Sequence, residues 1–215
     1  MPLKVNEIFY SIQGESSYAG RPCVFVRLTG CNLRCSYCDT RYAYYEGIDL
    51  EPDDILKQIE NYDCTLVEIT GGEPLIQEGT PYLTDLLLQK GYTVLMETNG
   101  SQDISKIPVE CIRIMDIKCP SSGEEKKNDL GNLGRMTFRD ELKFVIANRD
   151  DYGYAKSIMH IMDSEFIKTG LIHFSPVFGK MDVISLAEWI LEDHLNVRLH
   201  LQLHKLIWGQ EQRGV

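Results

Sequence analysis

Two things are scarce in this sequence: long apolar runs and positive charge. The longest apolar stretches, such as residues 66–69 and 142–147, fall far short of the roughly 20 residues that a membrane-spanning helix needs. Basic residues are outnumbered, 22 Lys+Arg against 32 Asp+Glu, for a net charge of −10. Gripping nucleic acid through bulk charge requires a basic surplus, so that class is excluded. Residues 1–7 lack the apolar core and small-residue cleavage site of a secretory leader. The expectation is a soluble cytoplasmic protein whose partners include neither membrane nor nucleic acid. No repeat or low-complexity tract stands out. The nearest thing to a linker, residues 120–134, is rich in Ser, Gly, Lys and Asn. It reads as a long loop within one domain, and such loops often carry function. Seven cysteines, an odd number, fit reduced thiols better than a closed disulfide framework. What remains is an ordinary globular balance of 43% apolar and 25% charged residues over 215 positions, enough for a sizeable core in one or at most two domains.

Short β-branched runs alternate with amphipathic ones. Residues 24–28, 66–70, 92–97, 112–118, 141–146, 171–175 and 197–201 read as strands. Residues 51–62, 81–90, 150–161 and 182–194 read as helices. The first has Pro52 in its opening turn; the second has Thr80 as N-cap and Gly91 as its stop. Strand then helix, repeated, predicts an α/β fold with a parallel sheet and crossover helices. A full eight-unit barrel takes about 250 residues. The shorter chain therefore predicts an incomplete, open βα barrel of the TIM type, with six or seven mostly parallel strands. Polar motifs recur just after strands: the Cys-rich segment 30–40, Gly71-Gly72-Glu73-Pro74, Glu97-Thr98-Asn99-Gly100, residues 118–121 and Ser175-Pro176. In a βα barrel that rim is where sites are built.

Cys31, Cys35 and Cys38 have the spacing C-x3-C-x2-C. Three thiolates this close can converge on one inorganic centre without help from distant parts of the fold. An iron–sulfur cubane normally takes four thiolates, so three leave one iron open to an exogenous ligand. A structural zinc site also wants four ligands, yet no His lies in the loop and Cys64 is the next cysteine. Unconnected reduced thiols are the third reading. The solitary Cys23, Cys64, Cys111 and Cys119 read as small buried hydrophobes, although Cys119 sits in a site-like loop.

The Cys loop, with Tyr37 before its last cysteine, and the Gly71–Pro74 turn together resemble the radical S-adenosylmethionine (SAM) enzymes. Further segments narrow the resemblance to the 7-carboxy-7-deazaguanine synthase family: Glu7 through Glu15, Arg27 through Leu33, Cys38-Asp39-Thr40, Asp116 through Gly123, Asp140 through Phe144, His173 through Val177 and Gln202 through Trp208. It runs nearly end to end. One departure is Ser16, where many members carry Gly.

The resemblance implies that residues 1–215 form a single radical SAM domain with a C-terminal tail closing over the active site. It implies conversion of 6-carboxy-5,6,7,8-tetrahydropterin to 7-carboxy-7-deazaguanine with loss of ammonia. Electron transfer from the cluster to SAM would yield a 5′-deoxyadenosyl radical that takes hydrogen from the pterin. By this resemblance Cys31, Cys35 and Cys38 hold a [4Fe-4S] cluster. Tyr37, Cys38, Asp39, Gly72, Cys119, Pro120 and Ser121 bind SAM. Thr40 is a Mg²⁺ ligand, and Ile12, Gln13, Gly14, Arg27, Thr70 and Val215 contact substrate. Read from the residues alone, Thr40 is a turn residue, Arg27 a solvated strand-end charge and Thr70 an ordinary strand residue. Glu15, Glu97, Asn99, Lys118 and His173 stay open between a site role and a structural one. His160, His194, His200 and His204 read as structural or solvated. The resemblance also implies a homodimer and a reducing electron donor such as flavodoxin or ferredoxin. Two alternatives stay open: another radical SAM enzyme, such as a small activase, and a zinc-stabilised binding module without catalysis.

Overall fold

Strand and helix alternate along the chain, in a computed structural model that describes residues 1–209 and 212–214. The strands are β1 (Leu3–Ile12), β2 (Pro22–Leu28), β3 (Ile48–Leu50), β4 (Leu66–Gly71), β5 (Thr93–Thr98), β6 (Ile112–Ile117), β7 (Glu141–Ile146), β8 (Ile172–Pro176) and β9 (Arg198–Leu199). The helices are α1 (Pro52–Glu60), α2 (Thr80–Gln89), α3 (Arg149–His160), α4 (Ser164–Lys168), α5 (Val183–Glu192) and α6 (Leu203–Trp208). Together the strands make one sheet ordered β3-β1-β2-β4-β5-β6-β7-β8-β9. From β2 through β9 every pairing is parallel. The ends of that order do not pair, so the barrel stays open, as expected.

Seven of the nine strands coincide with apolar runs of the sequence. The other two, β1 and β3, form an antiparallel edge beside β2. A register shift between Val5 and Glu7 throws the in–out alternation of β1 out of phase, which hides it from a period-2 reading. Helix starts follow local chemistry. Pro52 opens α1, Asn148 Oδ1 accepts from Asp151 N at 3.0 Å to cap α3, and Asp182 Oδ2 accepts from Ser185 N at 2.9 Å to cap α5. Thr80 is not a cap. It is the first residue of α2, and its hydroxyl donates to the Pro74 carbonyl at 2.6 Å. The segment 120–134 carries three short 3-10 turns rather than plain loop. Among the described residues no helix is long and apolar enough to cross a membrane.

Period-2 alternation splits the core into two bodies. Val26, Ile69, Met96, Ile117, Phe144 and Phe174 face outward and pack with Ile55, Ile59, Leu83, Leu87, Tyr152 and Leu186 of the helices. Inside the barrel, Cys23, Phe25, Leu66, Leu95, Ile112 and Ile114 form a smaller apolar plug toward the amino ends of the strands. Beyond that plug the inward positions turn polar: Arg27, Glu68, Thr70, Glu97, Asp116, Lys143, His173 and Ser175. The apolar floor thus carries a charged layer, and the loops at the carboxyl ends close over it.

Candidate active site

Those loops surround a cavity of about 320 Å³, within the range of small-molecule pockets. Cys31, Cys35 and Cys38 all lie on its wall as half-buried free thiols. Their loop is braced from both sides. Arg34 donates to the Cys31 carbonyl at 2.8 Å and to the Leu33 carbonyl at 2.6 Å, with its guanidinium 4.2 Å from the centre of the Tyr44 ring. Ser36 N donates to the Ser122 carbonyl at 3.0 Å, Ser36 Oγ to the Ser121 carbonyl at 2.7 Å, and Arg34 N to Glu124 Oε1 at 2.7 Å. Burial raises the Cys31 thiol and pushes Cys35 up to about 11; a bound metal's charge would reverse that preference. Among the described residues no three His, Cys, Asp or Glu side chains converge on a single-ion site. A cubane takes each of its thiolates at a separate corner, and three free thiols on one cavity wall are a donor set that fits it.

The Gly71–Pro74 turn packs directly beneath that loop. Added to Gly72, a Cβ would strike the Gly30 carbonyl and lie 2.7 Å from the Cys31 Cβ, so only glycine permits this approach. Glu73 is fully buried. Its carboxylate accepts from Leu75 N at 3.0 Å, Thr98 Oγ1 at 2.9 Å and Asn99 N at 2.6 Å. Burial raises its pKa against the pull of these donors. Asn99 in turn reaches Asn32 Oδ1 at 3.1 Å and Cys31 Sγ at 3.9 Å. One carboxylate therefore locks the rim loop after β5 against the cysteine loop.

The floor is charged. Lys143 Nζ donates to Glu15 Oε2 at 2.8 Å, pairs with Glu97, and lies 3.7 Å from Asp116 Oδ2, which also takes Lys118 at 2.7 Å. Burial alone would lower the Lys143 ammonium, but Glu15, Glu97 and Asp116 outweigh it and hold it well above the usual lysine range. Burial works against Glu15 too, yet Lys143, His204 and His200 keep it well below the usual carboxylate range. Glu68 goes the other way: burial, reinforced by Glu97 and Glu15, pushes it well up. Asp116 Oδ1 and the Tyr37 hydroxyl are buried without a hydrogen-bond partner among the described residues.

At the mouth, Arg27 donates through Nε to Glu7 Oε1 at 2.7 Å. Its two terminal nitrogens carry no hydrogen bond among the described residues, leaving the end of the fork toward the cavity that it lines. Gln13 is more fully committed. Its backbone N–H donates to the Arg21 carbonyl and its own carbonyl accepts from Gly20 N, each at 2.8 Å. Its side chain bonds Glu68 and accepts from Glu15 N at 2.9 Å. Thr70 Oγ1 lies 3.4 Å from Glu97 Oε2. Thr40 gives its hydroxyl proton to Asp39 Oδ1 at 2.9 Å, so its lone pairs are free for a hard cation. Helix α6 crosses the rim: Leu203 N donates to the Gly14 carbonyl at 3.0 Å and Gln202 Nε2 to Glu15 Oε1 at 2.8 Å. Arg213, from the tail, lies 4.0 Å from the centre of the Tyr42 ring, and residues 212–214 line the cavity.

Residues 25–115 match the Radical SAM superfamily. A 7-carboxy-7-deazaguanine synthase from Koribacter versatilis (strain Ellin345) is 43% identical over 99% of this chain and 100% of its own. Another, from Chlorobaculum tepidum, is 45% identical over 100% and 98%. This chain belongs to the 7-carboxy-7-deazaguanine synthase family. A crystal structure of QueE from Escherichia coli shares the fold, with a TM-score of 0.74 and 22% identity over 94% of each chain. Membership decides among the readings that the cysteine spacing left open, in favour of a radical SAM enzyme with its iron–sulfur cluster and SAM.

In this family member, Ile12, Gln13, Gly14, Arg27, Tyr37, Cys38, Asp39, Thr40, Thr70 and Gly72 all come together on the cavity wall. Cys119, Pro120 and Ser121 do not. The Cys119 side chain is buried in the sheet–helix core, and Ser121 N donates to Asp151 Oδ1 at 2.9 Å, behind the cysteine loop. Val215 lies outside the described residues. Glu15, Glu97, Asn99 and Lys118 line the cavity, whereas His173 is fully buried and bonded to Glu141 Oε2 at 2.6 Å. Sequence reasoning missed Glu68, Asp116, Lys143, His204 and Lys205, all on the wall. The signal for the first three was a charge at an alternate position inside an apolar strand run, as in Leu142-Lys143-Phe144.

Proposed function

We propose that this protein is a magnesium-dependent carbon–nitrogen lyase that converts 6-carboxy-5,6,7,8-tetrahydropterin to 7-carboxy-7-deazaguanine, with loss of ammonia. One observation carries the reading: three thiols in C-x3-C-x2-C spacing and the unspent end of the Arg27 fork face the same small cavity. Cys31, Cys35 and Cys38 would hold the cluster. Gly72 admits the methionine end of SAM at backbone distance, while Tyr37, Cys38 and Asp39 form the wall for its adenine. When bound, cluster and SAM supply a carbon-centred radical able to take a hydrogen atom, and the protein's own part is to bind, orient and exclude water.

Arg27 presents two parallel N–H donors to the substrate carboxylate, the pairing for which a guanidinium is shaped. With the Gln13 side chain tied to Glu68 and its backbone to Arg21 and Gly20, the contact from Ile12, Gln13 and Gly14 falls to the Gly14 N–H and to the remaining amide hydrogen. Thr70 and Val215 complete the proposed contacts. Thr40 offers Mg²⁺ a neutral oxygen, so the substrate carboxylate must supply the anionic ligand. Cys119, Pro120 and Ser121 would act on the SAM side by bracing the cysteine loop. Residues 1–215 form one domain with the tail as its cover, working as a cytoplasmic homodimer fed by a flavodoxin- or ferredoxin-like reductant.

The test is direct. Cluster-loaded, reduced protein is incubated anaerobically with SAM, Mg²⁺ and the carboxytetrahydropterin, and 7-carboxy-7-deazaguanine is sought by mass. SAM cleavage without that product would sink the substrate assignment. A colourless protein carrying one zinc would sink the cluster.

A further inference from the structure

Thr40, Asp39 and Lys205 form a chain that ties α6 to the cavity wall. The Thr40 hydroxyl donates to Asp39 Oδ1 at 2.9 Å, and Lys205 Nζ donates to Asp39 Oδ2 at 2.5 Å. The lysine side chain is only 7% exposed, and Asp39 is its one ion-pair partner among the described residues. Lys205 is set in place by α6, whose start is bound to the Gly14 carbonyl and to Glu15. The loop proposed to meet substrate and the loop proposed to meet the cation are therefore joined through a few residues of one short helix.

Magnesium is a hard cation that prefers anionic oxygen to a neutral hydroxyl. A carboxylate adjacent to Thr40 is thus its natural rival as ligand, yet both Asp39 oxygens are turned to protein donors. We propose that Lys205 is a positioning residue that holds Asp39 back from the cation, so that Mg²⁺ binds tightly only once the substrate carboxylate has arrived. This rests on the reading of Thr40 as a magnesium ligand. The consequence is an order of binding: with Asp39 withdrawn, the empty cavity offers the cation too little negative charge, and substrate brings the remainder.

Mn²⁺, titrated into cluster-loaded protein and followed by loss of its free-ion EPR signal, tests the proposal without turnover. Substrate is expected to tighten Mn²⁺ binding to the wild-type protein by about tenfold or more, since a carboxylate replaces water. In Lys205→Met, binding without substrate should tighten by about tenfold, because Asp39 is released to coordinate. Lys205→Arg should behave as wild type. The double variant Lys205→Met/Asp39→Asn should bind Mn²⁺ no more tightly than Asp39→Asn alone, which separates ligation by Asp39 from the general effect of removing a nearby positive charge. Unchanged binding in Lys205→Met, or tightening that persists in the double variant, overturns the proposal. Thr40→Ala judges the underlying reading separately: if Mn²⁺ binds as tightly there in the presence of substrate as in the wild-type protein, Thr40 is not the ligand. Should Lys205→Met fail to melt cooperatively, Lys205→Gln removes the same charge and is read in the same way.

Discussion

Glu15 and Lys143 meet at 2.8 Å beneath the cavity, although 128 positions separate them in the chain. The pair joins the loop after β1 to the middle of β7, and Glu97 and Asp116 complete the ring of carboxylates around the lysine. Removing one partner of a buried ion pair costs about 3–5 kcal/mol, because it strands the other. Lys143→Met strands Glu15 and Glu97, Asp116 keeping Lys118, and should lower stability by at least that much, a melting-point drop on the order of 10 °C for a chain of this size. Adding Glu97→Gln should recover part of the loss. Differential scanning calorimetry on the two variants checks this, and an unchanged melt for Lys143→Met would contradict the charged-floor description.

Arg27 separates substrate binding from cofactor chemistry. Its Nε is spent on Glu7, and its terminal nitrogens carry no hydrogen bond among the described residues. Lysine in its place keeps the charge but loses the fork, forfeiting a charged hydrogen bond of about 1.5–3 kcal/mol. Arg27→Lys should therefore raise the apparent KM for substrate by roughly 10- to 100-fold. SAM cleavage measured without substrate should change little. Equal losses in both would remove Arg27 from the substrate side.

Glu73 predicts a link between stability and cluster retention. Both of its oxygens accept hydrogen bonds, from Leu75 N and Thr98 Oγ1 on one and Asn99 N on the other. Glutamine has one acceptor oxygen, so Glu73→Gln sets an amide N–H2 against a donor and should cost about 1–3 kcal/mol. Because Asn99 braces Asn32 in the cysteine loop, iron content after anaerobic reconstitution should fall as well. Full iron content in a destabilised variant would show that the bracing is unnecessary.

Most of the frame was legible because parallel strands buried on both faces read as apolar runs, which is how β2 and β4 through β8 came through; β9 is only Arg198–Leu199, both exposed. The cysteine loop was legible because its three thiols lie within eight residues. The polar floor was harder. Glu68, Asp116 and Lys143 each interrupt an apolar run, and only the inward alternation of an open barrel turns those interruptions into one layer. No local pattern announces a contact such as Lys205 with Asp39, which spans 166 positions. Ser16 was the one apparent misfit, and its backbone explains it. Its φ is 61°, the left-handed region that favours glycine, and its Oγ accepts from Tyr18 N at 3.2 Å.

That geometry predicts opposite outcomes for two substitutions. Ser16→Gly removes a left-handed penalty of about 1–2 kcal/mol, offset by a weak hydrogen bond and added freedom in the unfolded chain. Stability should stay within about 1 kcal/mol of wild type. Ser16→Val places a β-branched residue at positive φ and loses the same hydrogen bond, costing roughly 2 kcal/mol or more. Urea midpoints for the two variants measure the difference, and equal midpoints would rule out backbone strain at this site.

His200 sets an acid limit on the fold. Its Nδ1 lies 3.1 Å from Ser175 Oγ, its ring packs 4.9 Å from that of His173, and its Nε2 is buried without a partner among the described residues. Burial lowers its pKa from 6.5 to about 4, with Glu15 opposing. The folded state therefore holds the neutral ring, and the unfolded state binds the proton first. The contribution of His200 is complete above pH 6.5 and is lost as pH falls from there toward 4. At pH 5 the loss comes to about 2 kcal/mol, or roughly 4–8 °C in melting temperature. His200→Gln keeps a partner for Ser175 but has nothing to titrate. The drop in melting temperature from pH 7.5 to pH 5.0 should be smaller in this variant by about that amount, the carboxylates contributing alike to both proteins. An equal drop would place the acid sensitivity elsewhere.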